Sequence, residues 1–330
     1  MSTRTRRALI CGISGQDGAY LAKLLLDKGY EVIGTSRDAM AASFDNLARL
    51  GLRARVQTVS MAISDFGSVL AAIKDAAPDE IYNLAGQSSV GLSFQQPVES
   101  MESIAMGTLN LLESIRFLGQ PIRYYSAGTG ECFGDTGDSP ATEETPFHPR
   151  SPYAVAKASA HHLVVNYREA YRIHACTGIL FNHESQLRPD RFVTQKIVRA
   201  AARIARGSPE RLLLGNLDIY RDWGWAPEYV EAMWLMLQLE TAEDFVISTG
   251  RTVSLAYFVE KAFSHFGLDW NRYVASDPSL LRPSDIRVGR ANPEKAWHRL
   301  GWAAKTQVDG VIANMCDATL EMKAAPSSQP

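Results

Sequence analysis

The residues best suited to chemistry in this chain are Thr129, Glu131, Tyr153 and Lys157. A tyrosine four positions before a lysine on a helix puts a phenol and an ammonium on one face. The cation favours the phenolate, and such a neighbour can bring a tyrosine pKa from about 10 toward neutrality. Thr129 adds a hydroxyl and Glu131 a second base. Together these groups can move protons at two adjacent carbons of a sugar, and few structural roles call for such a set.

The elements that must position them can be read from the spacing of apolar residues. The helix carrying Tyr153 and Lys157 is expected to open at Ser151 as N-cap, with Pro152 in its first turn. Before it, short β-branched runs alternate with helix-period runs. Strands are expected at Ala8–Ile13, Glu31–Thr35, Val56–Met61, Glu80–Ala85 and Ile122–Ser126. Helices are expected at Ala19–Lys28, Asp65–Ala76 and Ser100–Leu118. Ala175–Phe181 is a further strand, and Asp244–Ser248 another that returns to the same sheet. The alternation predicts an α/β fold, a Rossmann-type doubly wound parallel sheet with helices on both faces. Helices near 194–205, 227–239 and 254–266 lie among charged, proline-bearing loops. The expected division is residues 1–181, with about 226–249 returning, as a cofactor-binding domain. Residues 182–225 and 250–322 then form a smaller α/β substrate lobe, and 323–330 a disordered tail.

Gly12-Ile-Ser-Gly15-Gln16-Asp17-Gly18 joins the first strand to the first helix. Glycines there let backbone approach a pyrophosphate at a helix N-terminus, where free N–H groups and the dipole favour anions. The segment therefore predicts a dinucleotide site. An acidic residue closing the second strand would favour NAD. Here Arg37 follows that strand and suits a 2′-phosphate, so NADP is favoured over NAD; the alternative has Asp38 meeting the ribose and Arg37 solvated. Leu84 and Ala85, at the end of the fourth strand, mark where a cofactor would cross the strand ends.

Length and charge bound the rest. At 330 residues the chain needs no staple to bury its core. Acidic and basic residues nearly balance, 36 against 34, and the cations are scattered, so nucleic acid is not an expected partner. The four cysteines show no paired spacing. Cys11 and Cys176 read as small core residues of a reducing compartment, and Cys132, beside Glu131, as a candidate to line the site. His161-His162 and His183-Glu184 lack metal-ligand spacing, so no metal is expected. No run approaches the ~20 apolar residues of a membrane span, and no signal peptide is visible. A cytoplasmic protein is expected.

The glycine turn, Thr129-Gly130-Glu131 and Tyr153-x3-Lys157, in that order, resemble the extended short-chain dehydrogenase/reductase family. Within it the chain resembles the GDP-mannose 4,6-dehydratases over nearly its whole length. Gly15-Gln-Asp-Gly18, Pro149-Arg-Ser-Pro-Tyr153, Gly178-Ile-Leu-Phe-Asn-His-Glu-Ser185 and Arg221-Asp-Trp-Gly224 carry that likeness. The resemblance implies oxidation at C4 of a GDP-mannose-type hexose or manno-heptose, loss of water across C5 and C6, and return of the hydride to C6. Tyr153 with Lys157 would serve the 4-hydroxyl, Thr129 would hold the same oxygen, and Glu131 would take the C5 proton. It also implies Ser88, Asn182, Lys196, Arg221, Arg282 and Asp285 as substrate-binding residues. A homodimer or homotetramer, with helices 100–118 and 152–171 at the dimer interface, is implied as well.

Some positions depart from the family pattern. Met61-Ala62 stands where an acid often contacts adenine, leaving Asp65 as a substitute. Gly130 replaces a hydroxyl residue, and Arg37-Asp38 replaces two arginines. Trp223 and Trp225 either border the sugar pocket or pack the core. Two other readings remain. A GDP-4-keto-6-deoxymannose reductase would need Glu131 less, and a silent NADP-binding regulatory protein would need none of the four groups.

Overall fold

The apolar run after the basic N-terminus forms strand β1 (Arg7–Cys11), an interior strand of a parallel sheet. A computed structural model describes residues 4–321. Along them β1 is followed by β2 (Glu31–Ser36), β3 (Gln57–Ser60), β4 (Glu80–Asn83), β5 (Arg123–Ala127) and β6 (Ala175–Leu180). Short strands β7 (Asn182–Glu184), β8 (Leu212–Leu214), β9 (Tyr220–Trp225), β10 (Phe245–Ile247), β11 (Thr252–Ser254) and β12 (Val274–Ser276) complete the series.

Seven strands form the main sheet in the order β10-β6-β5-β4-β1-β2-β3. Every neighbouring pair is parallel. Strand residues alternate between the two faces. Ala8, Ile10, Tyr82, Tyr125 and Cys176 face helices Gln16–Asp27 and Ala226–Gln238. Leu9, Cys11, Ile81, Tyr124 and Ala175 face helices Phe66–Ala76, Gly107–Leu118 and Pro152–Tyr171. Both faces are covered, which is why the strands are apolar on both sides. Leu9 is fully buried, so truncating it to alanine would cost about 2–5 kcal/mol.

From β1 the chain winds outward through β2 and β3, then crosses to β4 on the other side. In such sheets ligands bind beyond the carboxyl ends of the strands, at the reversal. Segments 12–18, 37, 84–88, 129–131 and 182 all lie at those ends.

A second layer stands over the same ends. β7 pairs in parallel with β9, β9 antiparallel with β11, and β8 in parallel with β12. Helices Val193–Ala205, Leu255–His265 and Val308–Glu321 bury a separate cluster that includes Ile197, Trp223, Phe258, Phe263 and Ile312. The tail expected at 323–330 lies outside the described residues.

Two helices begin earlier than the spacing predicts. The first opens at Gln16 instead of Ala19, because Gly15 N–H bonds Gly12 O at 3.1 Å and closes the glycine turn into the helix. The second opens at Pro97, whose ring presets the first helical turn. It then passes through a π-helical stretch, Met101–Met106, before continuing to Leu118. Ser100 and Ser103 donate their hydroxyls back to the carbonyls of Gln96 and Glu99. Such back-bonding competes with the regular ladder and bends helices.

Candidate active site

Ser151 caps the helix Pro152–Tyr171, its hydroxyl accepting from Ala154 N–H at 3.1 Å. The far end is tied to the sheet edge, where Arg168 grips Asp244 with two nitrogens at 3.0 and 2.7 Å. Between these anchors Tyr153 and Lys157 face the strand ends. Lys157 Nζ donates to Ala127 O at 2.6 Å and lies 6.0 Å from the Tyr153 ring centre. Thr129 follows β5 and caps the tight turn Gly130–Phe133, its Oγ1 accepting from Glu131 N–H at 3.3 Å. The departure at Gly130 has a steric reason, since a Cβ there would stand 2.8 Å from the Phe181 ring. Thr129, Glu131, Tyr153 and Lys157 line one cavity of about 370 Å³.

The expectation that Lys157 draws the Tyr153 phenol toward neutrality is not met in this arrangement. Burial pushes the phenol well above its ordinary range, and Cys132 adds to the effect while the Thr129 hydroxyl opposes it. Burial also lowers the Lys157 ammonium, to about 8. The two groups lie near each other, but the ammonium is spent on a carbonyl and both pay for desolvation.

The same cavity takes in Ser88, Asn182, Lys196, Arg221, Arg282 and Asp285. Arg221 is buried on β9, with Nε 3.7 Å from Glu131 Oε1 and Nη2 3.4 Å from Asp285 Oδ1. Arg282 Nη1 reaches the same Asp285 oxygen at 3.5 Å. Glu131, Arg221, Asp285 and Arg282 thus form a row of alternating charge from the turn after β5 to the loop after β12. Lys196 Nζ donates to Leu213 O at 2.8 Å. Asn182 opens β7 opposite Trp223.

The glycine turn fits a dinucleotide. Gly12 sits at φ +85°, and a Cβ there would stand 2.8 Å from Leu84 O; one at Gly18 would stand 2.5 Å from Gly12 O. The helix beginning at Gln16 has no side-chain cap, so its first-turn N–H groups face the strand ends uncapped by the chain. Asp17 and Leu84 line the cavity, and Ala85 follows Leu84 as Cys11 O takes the Leu84 N–H at 3.0 Å. Arg37 is exposed just past β2 and pairs with Glu99 at 3.1 Å. Asp38 is turned into its own loop, accepting from Met40 and Ala41 N–H groups. Asp65 caps the following helix through Ser68 N–H at 2.6 Å and is thereby committed to that helix.

A family model described as GDP-mannose 4,6 dehydratase matches residues 9–315. The chain belongs to this family. It is 43% identical over 325 residues to GDP-mannose 4,6 dehydratase 1 of Arabidopsis thaliana, covering 96% of this chain and 90% of the relative. The GDP-mannose 4,6-dehydratase of Sinorhizobium fredii is 43% identical over 337 residues, covering 95% and 96%. Among solved structures, a UDP-glucose 4-epimerase of Thermotoga maritima with UDP-glucose superposes with a TM-score of 0.85 at 22% identity, covering 97% of this chain and all of the other. A dTDP-glucose 4,6-dehydratase of Bacillus anthracis in complex with NAD gives 0.84 at 20%, covering 97% and 98%. At such identities these structures speak for the fold alone.

The structure of this GDP-mannose 4,6-dehydratase relative brings in residues that sequence spacing did not select. His183 stands between Phe181 O at 2.8 Å and Asp17 Oδ2 at 2.9 Å, stacked on Tyr229. Burial works to lower the His183 pKa, but Asp17 outweighs it and the net shift is upward. For Asp17 burial pulls up, yet His183 draws it below the usual carboxylate range. Gln16 is buried beside them, its Oε1 accepting from Ser185 Oγ at 2.7 Å. Arg188 and Arg191 also line the cavity. The contact between positions 17 and 183 joins two ends of the fold, and only the cluster Asn-His-Glu-Ser marks it in sequence. Cys132, in contrast, points away: it is buried against Ala154 O at 3.7 Å, and its thiol is pushed up to about 12, mainly by burial. Trp223 both lines the cavity and packs on Phe258, whereas Trp225 packs only in the second core cluster. Among the described residues no cluster of three metal-ligating side chains occurs.

Proposed function

We propose that this chain is a hydro-lyase that converts GDP-mannose to its 4-keto-6-deoxy product, with NADP as the resident cofactor. Membership of the family over residues 9–315 supports the substrate class. The single observation that carries the chemistry is the convergence of Glu131 with Thr129, Tyr153 and Lys157 on one cavity. A reductase needs only the last three.

When bound, the nicotinamide accepts the C4 hydride and later returns it to C6. Tyr153 would take the proton of the 4-hydroxyl as a phenolate once the positive charge of an oxidised nicotinamide, with Lys157, offsets the burial that pushes the phenol up, and Thr129 donates a hydrogen bond to the same oxygen as it becomes a ketone. The ketone acidifies C5, and Glu131 removes that proton. The same carboxyl then protonates the departing C6 hydroxyl, which leaves as water. After hydride return, C5 takes a proton from solvent through Glu131, and Tyr153 releases to solvent the proton it took from the 4-hydroxyl, so the net change is the loss of one water. Arg221 and Arg282 suit the diphosphate, because each guanidinium pairs phosphate oxygens in a fork. Asn182, Lys196 and Ser88 line the remaining approach, with Asp285 holding the two arginines in place. The glycine turn and Arg37 serve the pyrophosphate and the 2′-phosphate of NADP.

The test is incubation with a panel of GDP-hexoses and GDP-heptoses, reading product mass for loss of one water. Loss from GDP-mannose is expected. Loss from a manno-heptose alone would move the substrate to seven carbons. No loss, with NADPH consumed by a 4-keto-6-deoxy sugar, would assign the reductase; neither reaction would leave a silent binding protein.

A dimer through the helices Pro97–Leu118 and Pro152–Tyr171 is part of this reading. Val98, Met101, Met106 and Val155 are exposed large apolar residues on them, while Ile104, Leu112 and Ile115 are spent on burial within the chain. A monomer by light scattering would refute it. No helix among the described residues is long and apolar enough to cross a membrane, and four buried, unpaired thiols suit the reducing cytoplasm where we place the enzyme.

A further inference from the structure

The register of the sheet sets Thr35 opposite Cys11. Arg37, two residues on, therefore stands level with the glycine turn that begins at Gly12, beside the position of an adenosine ribose. The carboxylate expected to compete for that ribose, Asp38, is committed to the N–H groups of Met40 and Ala41. A different carboxylate faces Arg37. Glu99 Oε1 lies 3.1 Å from Arg37 Nη2 and comes from the turn Pro97–Ser100, 62 positions away.

The backbone that carries Glu99 is held in place. Its carbonyl accepts the Ser103 hydroxyl at 2.6 Å, and that same Ser103 oxygen accepts Gln87 N–H at 3.3 Å. Gln87 closes the Leu84–Gly86 stretch, over which Ile104 packs so tightly that a Cβ on Gly86 would stand 2.8 Å from it. The start of the π-helical stretch thus fixes Glu99 relative to the strand-end loop.

Arg37 is exposed and Glu99 partly so, and their pairing therefore adds little to stability. Its consequence lies in binding. A 2′-phosphate brings nearly two negative charges and needs the guanidinium that Glu99 already holds. A 2′-hydroxyl needs no cation and can donate to a carboxylate.

We infer that Glu99 is a specificity-determining residue that, through Arg37, restrains the preference of this site for NADP over NAD. The inference rests on the reading that the strand-end crevice takes a nicotinamide dinucleotide. A carboxylate a few ångströms from a phosphate dianion in a wet site disfavours it by about three- to tenfold, and salt weakens the effect.

The test is direct binding of NADPH and NADH, by fluorescence titration of the full-length protein, for wild type, Glu99→Gln and Arg37→Gln. Glu99→Gln keeps length and polarity at an exposed position. It is expected to tighten NADPH by about three- to tenfold while NADH changes by less than about twofold, with the gain shrinking at high salt. Arg37→Gln is expected to weaken NADPH and leave NADH nearly unaltered. An unchanged NADPH-to-NADH ratio in Glu99→Gln, or an equal shift for both dinucleotides, overturns the role of Glu99 alone. Binding of neither dinucleotide by wild type overturns the cofactor reading beneath it, and the inference with it.

Discussion

Lys157→Met should make the protein more stable while removing its activity. The ammonium is carried into the crevice floor, where Ala127 O at 2.6 Å is its hydrogen-bond acceptor. Burial lowers its pKa from 10.5 to about 8, opposed by Cys132 and Asp17. At about 1.4 kcal/mol per pH unit that drop is worth about 3 kcal/mol against folding with the charge in place. The lost hydrogen bond offsets about 1 kcal/mol, leaving a net gain of about 2 kcal/mol at pH 7. The sign of the pH dependence is fixed. Below pH 8 both folded and unfolded chains carry the proton, and the full cost is present. Between about 8 and 10.5 the unfolded chain keeps a proton the folded one has released, so wild-type stability rises with pH through that window. Thermal unfolding of both proteins at pH 7 and pH 10 checks this. A chain of this length converts 1 kcal/mol into about 1–2 °C, so the variant should melt about 2–4 °C higher at pH 7, with the gap closing by pH 10. Turnover should fall by about 10²–10⁴. A variant no more stable than wild type at pH 7, or a gap that ignores pH, would refute the reasoning.

Glu131→Gln should still oxidise C4 but fail to eliminate; a single-turnover burst of reduced cofactor without loss of water is the expected record, and full dehydration would remove the role given to Glu131. Tyr153→Phe should lose about 10²–10⁴ in the oxidation step with GDP-mannose affinity retained, measured by calorimetry; normal turnover would sink the mechanism. Gly18→Ala places a Cβ 2.5 Å from Gly12 O, a backbone clash that should cost about 1–3 kcal/mol and weaken dinucleotide binding, read by thermal shift with and without NADPH. Wild-type-like stability and binding in that variant would mean the turn is looser than its contacts imply.

Much of the fold was legible because its rules are local. The strand and helix runs of the first half, the Ser151 cap and the Pro152 start all rest on interactions within a few positions, where side-chain period and capping chemistry operate. The early start at Gln16 was missed because a glycine turn can close into a helix without a polar cap. The π-helical stretch is marked only by Ser100 and Ser103, whose back-bonding a sequence does not reveal. At the site, the four catalytic candidates were visible as residue types at telling spacings, and the cavity brings them together. Their electrostatic state was not visible. Spacing puts Lys157 beside Tyr153, but burial, which only packing sets, pushes the phenol up and the ammonium down.

The chain order of residues was thus enough to predict the kind of sheet and the glycine turn, and to single out Thr129, Glu131, Tyr153 and Lys157 as catalytic candidates. Long-range pairings were left to folding. Asp17 with His183, Arg221 between Glu131 and Asp285, and Arg37 with Glu99 each join segments more than sixty positions apart. Such pairs have no periodicity, since parallel strands bring their carboxyl ends together whatever the length of the crossover between them. A charge has a meaning in the sequence only as a type; what it does depends on which opposite charge the sheet delivers to it, and on how much water remains around both.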